Sequence, residues 1–253
     1  MLPKCHYVRL KVRARRCANM RRMTEVGRAS RRDGAAGLMG PIRACSVALF
    51  GPAVYRGLTG KPSVALTFDD GPSESTPRLL ETLARHGAAA TFFMTGANAA
   101  RLPGVACAVR SAGHEIGNHS YSHSAFCFRS AGFIRGELEQ AQRVIALTTG
   151  VEPRLFRPPF GTRWFGSRVA RRLNLTEVLW TVMGRDWRLN AGQVVARVVA
   201  RAAAGGIVCL HDGRELNPNP DIRATLEAVD RLIPLLRDRG FQFETVSQLC
   251  LMN

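Results

Sequence analysis

From residue 46 onward the chain alternates short apolar runs of strand-like length with longer stretches of helical pattern, and no other feature limits its folds as much. The strand candidates are 64–68, 90–95, 114–119, 154–158, 177–183, 206–210 and 241–246. A helix capped by Thr76, with Pro77 at its first position and Leu79, Leu80 and Leu83 on one face, is expected to stop at Gly87. Further helices are expected to end near Gly113, to be closed by Gly150, to start at about Ser167, to be capped by Asn190, and to precede the last strand. Seven strands separated by helices predict a parallel sheet, either closed as a barrel or doubly wound. In both architectures function sits at the C-terminal ends of the strands. A length of 253 residues with 46% hydrophobic and 22% charged residues suits one large α/β domain.

The formal net charge of +17 is unevenly spread. Residues 1–43 hold twelve Lys or Arg against Glu25 and Asp33, a net +10, which leaves +7 for the rest. The stretch "KVRARRCANMRRMTEVGRASRRDG" lacks apolar periodicity, so residues 1–45 read as a basic, disordered arm ahead of a domain spanning 46–253. Such an arm is either a solvated tail or an electrostatic tether to an anionic cell-wall polymer or membrane surface, and Met23 and Met39 are later candidate starts. With the charge concentrated there, no nucleic-acid partner is expected. No run of eighteen apolar residues marks a membrane span. "SRRDGAAGLMGPIRACSVALF" faintly resembles a twin-arginine leader, but Asp33, Pro41 and Arg43 interrupt its apolar part, and Arg43 also spoils a lipoprotein site before Ser46. Seven cysteines without a C-x-x-C pair point to neither a disulfide framework nor a structural zinc site.

Polar clusters stand at the expected strand ends. Asp69 and Asp70 follow the first strand, His119 and His123 the third, "RPPFG" (157–161) the fourth, "RDW" (185–187) the fifth, and "LHD" (210–212) the sixth. Singly, each has an ordinary structural role: caps for the aspartates, a salt bridge for Arg157, core for Trp187, a strand end for His211. Together they converge on one rim. Two adjacent carboxylates raise each other's pKa unless a cation separates them, and histidines spaced i, i+4 can meet on one helical face. Two imidazoles and one carboxylate make an open three-ligand metal site. The second carboxylate is then free to take a proton from water, and His211 to donate one to a leaving group, which is ester or amide hydrolysis.

The five motifs "TFDDGP" (67–72), "HSYSH" (119–123), "RPPFG", "RDW" and "LHD" resemble, in order and spacing, those of the polysaccharide deacetylase family, carbohydrate esterase family 4, over about residues 48–250. The resemblance implies a distorted (β/α) barrel and metal-dependent removal of N-acetyl groups from an N-acetylated saccharide, with one divalent ion, usually zinc. By position it makes Asp69 the catalytic base, Asp70, His119 and His123 the metal ligands, and Arg157 the orienter of the base. Asp186 orients His211, the general acid. Phe160, through its backbone N–H at the oxyanion, belongs with Pro159, Trp187 and Leu210 among the substrate contacts. Two positions depart from the family pattern: Met183 where an aspartate is common, and Cys209 where a leucine usually lines the acetyl pocket. Three functions compete: the sugar N-deacetylase, a same-fold hydrolase of a non-sugar amide, imide or O-acetyl ester, and a non-catalytic saccharide- or anion-binding protein.

Overall fold

The computed structural model describes residues 49–57 and 60–251, so the expected basic arm lies outside the described residues. The element order is β1 (Ser63–Asp69), α1 (Thr76–Arg85), β2 (Ala90–Met94), α2 (Gly96–Arg101), α3 (Pro103–Ser111), β3 (Glu115–Asn118), α4 (Ala131–Thr149), β4 (Leu155–Phe156), α5 (Gly166–Arg172), β5 (Thr176–Glu177), β6 (Val182–Met183), α6 (Ala191–Val199), β7 (Gly206–His211), α7 (Arg223–Asp238), β8 (Gln242–Phe243) and α8 (Val246–Leu249). All named strand pairs are parallel. The spatial order is β5-β4-β3-β2-β1-β7-β6, with β8 pairing the first residues of β1.

The expected single strand over 177–183 is two strands on opposite edges of the sheet. Its hydrogen bonds change partner along the run. Val178 N–H donates to Phe156 O (2.8 Å), Leu179 N–H to Val54 O (2.7 Å) and Thr181 N–H to Ile207 O (2.9 Å). Only four residues separate β5 from β6, so the sheet curls until its edges are bridged by this segment. The result is a distorted (β/α) barrel.

Alternation along the central strands sorts the side chains. Val64, Leu66 and Phe68 of β1, with Val208 and Leu210 of β7, join the outer core that faces the helices, where Leu79, Leu83, Val194, Val198, Leu232 and Leu236 are buried. Burying each such leucine or valine is worth about 1.5–3 kcal/mol. Ala65 and Ile207 point inward, packing with Phe93, Leu155, Val178, Val246 and Leu249. Thr67 and Asp69, in register with Cys209 and His211, continue that inner face toward the C-terminal rim.

Local signals explain most helix ends. Asn190 Oδ1 accepts from Gln193 N–H (3.0 Å) while Gln193 Oε1 accepts from Asn190 N–H (3.2 Å), a reciprocal capping box. Gly150 closes α4 at φ 72°. Thr76 is not the cap of α1. Its hydroxyl donates instead to the Asp212 carboxylate (2.6 Å), a buried group whose need for a donor outweighs capping.

Candidate active site

The two aspartates that end β1 part company at a change in backbone hand. Asp69 completes the inner face, opposite His211 in the ladder. Asp70 has φ 71°, a left-handed conformation that a short polar side chain tolerates. Its carbonyl accepts from Asn98 Nδ2 (2.7 Å), and its Oδ2 from Glu215 N–H (2.9 Å). A Cβ on Gly71 would collide with the Asp212 carboxylate, and one on Gly213 with the Asp70 backbone, so these strand ends meet only because both residues are glycine.

Asp70 Oδ1 lies 3.3 Å from His119 Nε2 and 3.0 Å from His123 Nε2, and all three side chains are buried. Burial alone pushes the Asp70 carboxyl up. The hydrogen bonds and charges of His119 and His123 outweigh it and hold the group well below the usual carboxylate range. The histidines meet with ring centroids 5.0 Å apart, but not on a helix as expected. Residues 119–123 form a loop, with Ser120 at φ 67° and His123 at φ 56°.

Sequence reasoning missed what holds that loop. Glu137 of α4 accepts from the N–H groups of Tyr121 (3.2 Å) and Ser122 (2.8 Å), and Asn118 Oδ1 from Ser120 N–H (2.8 Å). The signal available in the sequence was a glutamate set on the apolar helical stripe of Ile134, Leu138 and Ala141. His119 Nδ1–H donates to Arg157 O (2.8 Å), which fixes the tautomer and leaves Nε2 as a ligand atom. The donor atoms of the trio lie within 4.8 Å of one another. One carboxylate oxygen and two imidazole nitrogens, convergent and buried, fit a divalent ion such as zinc.

Arg157 runs through the barrel interior and is fully buried. Its Nη1 donates to Asp69 Oδ1 and to Thr67 Oγ1, both at 2.7 Å, its Nη2 to Leu179 O (3.1 Å) and its Nε to Val178 O (3.3 Å). The guanidinium also stacks 4.1 Å from the centre of the Phe93 ring. The two carbonyls belong to the segment that bridges the sheet edges, so one side chain orients Asp69 and ties down the closure.

Across the rim, His211 Nδ1–H donates to Asp186 Oδ1 (2.9 Å) and His211 N–H to Asp186 Oδ2 (2.9 Å). Thr225 Oγ1 completes the carboxylate at 2.6 Å. Burial pushes Asp186 up, but the charge and hydrogen bond of His211, helped by Arg214 and Thr225, bring it below its ordinary value. Burial pulls His211 down, yet Asp186, with Asp69 and Asp70 behind it, more than reverses this and raises it. With Nδ1 committed to Asp186, Nε2 is the ring nitrogen left for other chemistry.

Pro159 and Phe160 form a tight turn, with Gly161 N–H donating to Pro158 O (2.9 Å) and Thr162 N–H to Pro159 O (3.0 Å); neither bond uses the Phe160 N–H. Phe160, at φ 57°, is 58% exposed and sets its ring edge-on to His123 at 4.7 Å. Trp187 is 47% exposed and packs edge-on to His211 at 4.8 Å, which puts an open aromatic surface beside that imidazole.

Leu210 does not border the site. It is wholly buried in the outer core, because the strand that turns His211 inward turns its neighbour outward. Cys209 takes the inward position, and its Sγ–H donates to Asp69 Oδ2 (3.4 Å). Burial, with the Asp69 charge, pushes this thiol well up. Met183 stands in register with Cys209, so the two positions that depart from the family pattern are neighbours. Asp212, next to His211, is raised to about 7, chiefly by burial, and its Oδ1 has no partner.

The sequence model of the family described as polysaccharide deacetylase matches residues 56–178. A chitooligosaccharide deacetylase of Sinorhizobium fredii is 37% identical over 205 residues, 77% of this chain and 95% of its own. A peptidoglycan-N-acetylglucosamine deacetylase of Listeria monocytogenes is 34% identical over 200 residues, 78% of this chain; that match spans only 41% of the relative's length. A solved structure from Bacillus anthracis, titled a CE4 family pseudoenzyme, superposes with a TM-score of 0.72 at 31% identity, covering 78% of this chain and 68% of its own. With its barrel, its five strand-end clusters and these relatives, the chain belongs to the polysaccharide deacetylase family.

Proposed function

We propose that the chain is a metal-dependent hydrolase that removes N-acetyl groups from saccharides of the chitooligosaccharide or peptidoglycan type. The observation that carries this reading is one rim holding the Asp70–His119–His123 trio alongside two separately oriented proton-transfer groups, Asp69 on Arg157 and His211 on Asp186. A divalent ion on the trio, zinc by the character of its donors, would supply Lewis acidity toward the acetyl carbonyl and a lowered pKa for water.

Asp69 takes the proton of the attacking water. Arg157 occupies Oδ1, so the transfer falls to Oδ2, whose other partner is the long 3.4 Å contact with the Cys209 thiol, and a base so placed contributes about 10²–10⁴-fold. As the tetrahedral centre forms, the Phe160 N–H donates to its oxyanion, an interaction worth about 3–4 kcal/mol when well aimed. His211 Nε2–H then protonates the departing amine while Asp186 stabilises the imidazolium that gives up its proton. Trp187 and Phe160 offer exposed rings to the faces of the sugar, and the products are acetate and a free amine.

The likeness to a pseudoenzyme favours a second reading, a non-catalytic saccharide binder. Binding alone requires neither an oriented base nor an oriented acid. Acetate release by the purified full chain from N-acetylated chitooligosaccharides and from peptidoglycan, measured after chelation and after zinc is restored, tests the choice. Saccharide binding without acetate release under any metal condition selects the binder.

A further inference from the structure

The adjacent aspartates anchor two different trios. Asp70 joins His119 and His123, whereas Asp69 joins Cys209 and His211, with donor atoms again within 4.8 Å of one another. The second trio arises from register: Asp69 and His211 are ladder partners, and Cys209 precedes His211 by two residues on the same face of β7. Its donor atoms are not all committed to other groups. Arg157 holds Asp69 Oδ1, while Oδ2 faces Cys209 Sγ at 3.4 Å, and Asp186 holds His211 Nδ1, which leaves Nε2.

We propose that Asp69, Cys209 and His211 form a second metal site selective for thiophilic divalent ions, zinc or cadmium, and that an ion in excess of one equivalent binds there and stops turnover. A sulfur, a nitrogen and an oxygen with one open position are the donor types of zinc sites, and sulfur makes this trio softer than the first. On binding, the Cys209 S–H proton leaves to solvent and the sulfur becomes a thiolate ligand. The carboxylate and thiolate then place two negative charges on a divalent ion; Asp186 stands behind His211, and the cations facing these groups are Arg157 on Asp69 and Arg214, 3.9 Å from Asp186. Bound there, the ion occupies the base and the acid at once, so inhibition is complete rather than partial. The inhibitory consequence rests on the proposed deacetylase chemistry; the site itself does not.

The test uses the full chain carrying one equivalent of zinc, titrated with cadmium. The readouts are ions bound per chain and the ultraviolet sulfur-to-cadmium charge-transfer band. Exchange of cadmium into the first trio gives no such band, since that trio has no sulfur. Wild type is expected to take up a second ion with the band. Cys209→Leu and Cys209→Ser should keep the first ion, which reports an intact barrel, lose the band assigned to the second, and bind a second ion weaker by more than the roughly 10–100-fold that loss of a merely supporting group costs. Zinc inhibition, scaled to each protein's own one-equivalent rate, should disappear with the band. A wild type that binds only one ion, or a second-ion band of equal size in the Cys209 variants and so due to other thiols such as Cys127, overturns the site. Absence of acetate release in wild type would defeat the deacetylase reading while the band still decides the metal site.

Discussion

Replacing Arg157 separates orientation of the proposed base, Asp69, from assembly of the candidate metal trio. Arg157→Met leaves the Asp69 carboxylate buried without its cation, a loss of about 3–5 kcal/mol when one member of a buried pair is removed. It also strips donors from Val178 O and Leu179 O, and each buried carbonyl left unpaired costs about 1–3 kcal/mol. These losses share one side chain and are not additive, so about 4–7 kcal/mol is expected, a large part of the 5–15 kcal/mol that holds an ordinary domain together. Arg157→Lys keeps a charge for Asp69 but cannot fork to both carbonyls, so it should lose about half as much. Metal content should survive in both proteins, because His119 is fixed by the Arg157 backbone carbonyl, which substitution leaves in place. Urea unfolding gives the stability, elemental analysis the metal, and acetate release the rate. Turnover should fall at least tenfold in Arg157→Lys, with the KM for substrate little changed, as expected of a residue that positions the base. Loss below about 1 kcal/mol in Arg157→Met, or loss of the metal from a folded Arg157→Lys protein, would refute the account.

Asp69→Asn should retain metal and fold while turnover falls by about 10²–10⁴-fold, as an amide cannot take the proton; loss of metal in that variant would exchange the roles of Asp69 and Asp70. In the His119→Ala, His123→Ala double variant the ion bound at the first trio should be absent by elemental analysis. His211 is raised in the fold, so its contribution to stability is present below its unfolded value of about 6.5 and fades as pH rises through the folded one. Asp186 is lowered, so its contribution is present above about 3.8 and fades as pH falls through its folded value. The pair therefore stabilises most between those limits, and Asp186→Asn should remove that excess in pH-dependent unfolding and move the alkaline limb of kcat/KM to lower pH. Deleting residues 1–43, with their net +10, should leave turnover of neutral oligosaccharides unchanged and weaken action on anionic cell-wall polymer only at low salt, where the Debye length reaches about 10 Å or more.

Much of the molecule was legible in the chain alone because its signals are local. Apolar runs bounded by glycine and proline mark β1, β2 and β7; Asn190 with Gln193 and Gly150 mark helix ends; and the polar clusters sit at strand ends whose common side any parallel fold would make one rim. The outward turn of Leu210 was also legible, since alternation from an inward His211 requires it. What the tertiary structure alone decided depends on partners far away in sequence. The 177–183 run splits because Phe156 and Ile207 compete for its backbone at opposite edges. The histidines converge through a loop held by Glu137, and Thr76 turns from capping to a carboxylate 136 residues on. Arg157 meets Asp69 across 88 residues, and Cys209 meets it across 140. Composition and periodicity describe how a segment prefers to sit; which segments share a face, and therefore which charges must be neutralised together, is fixed only when the sheet has closed.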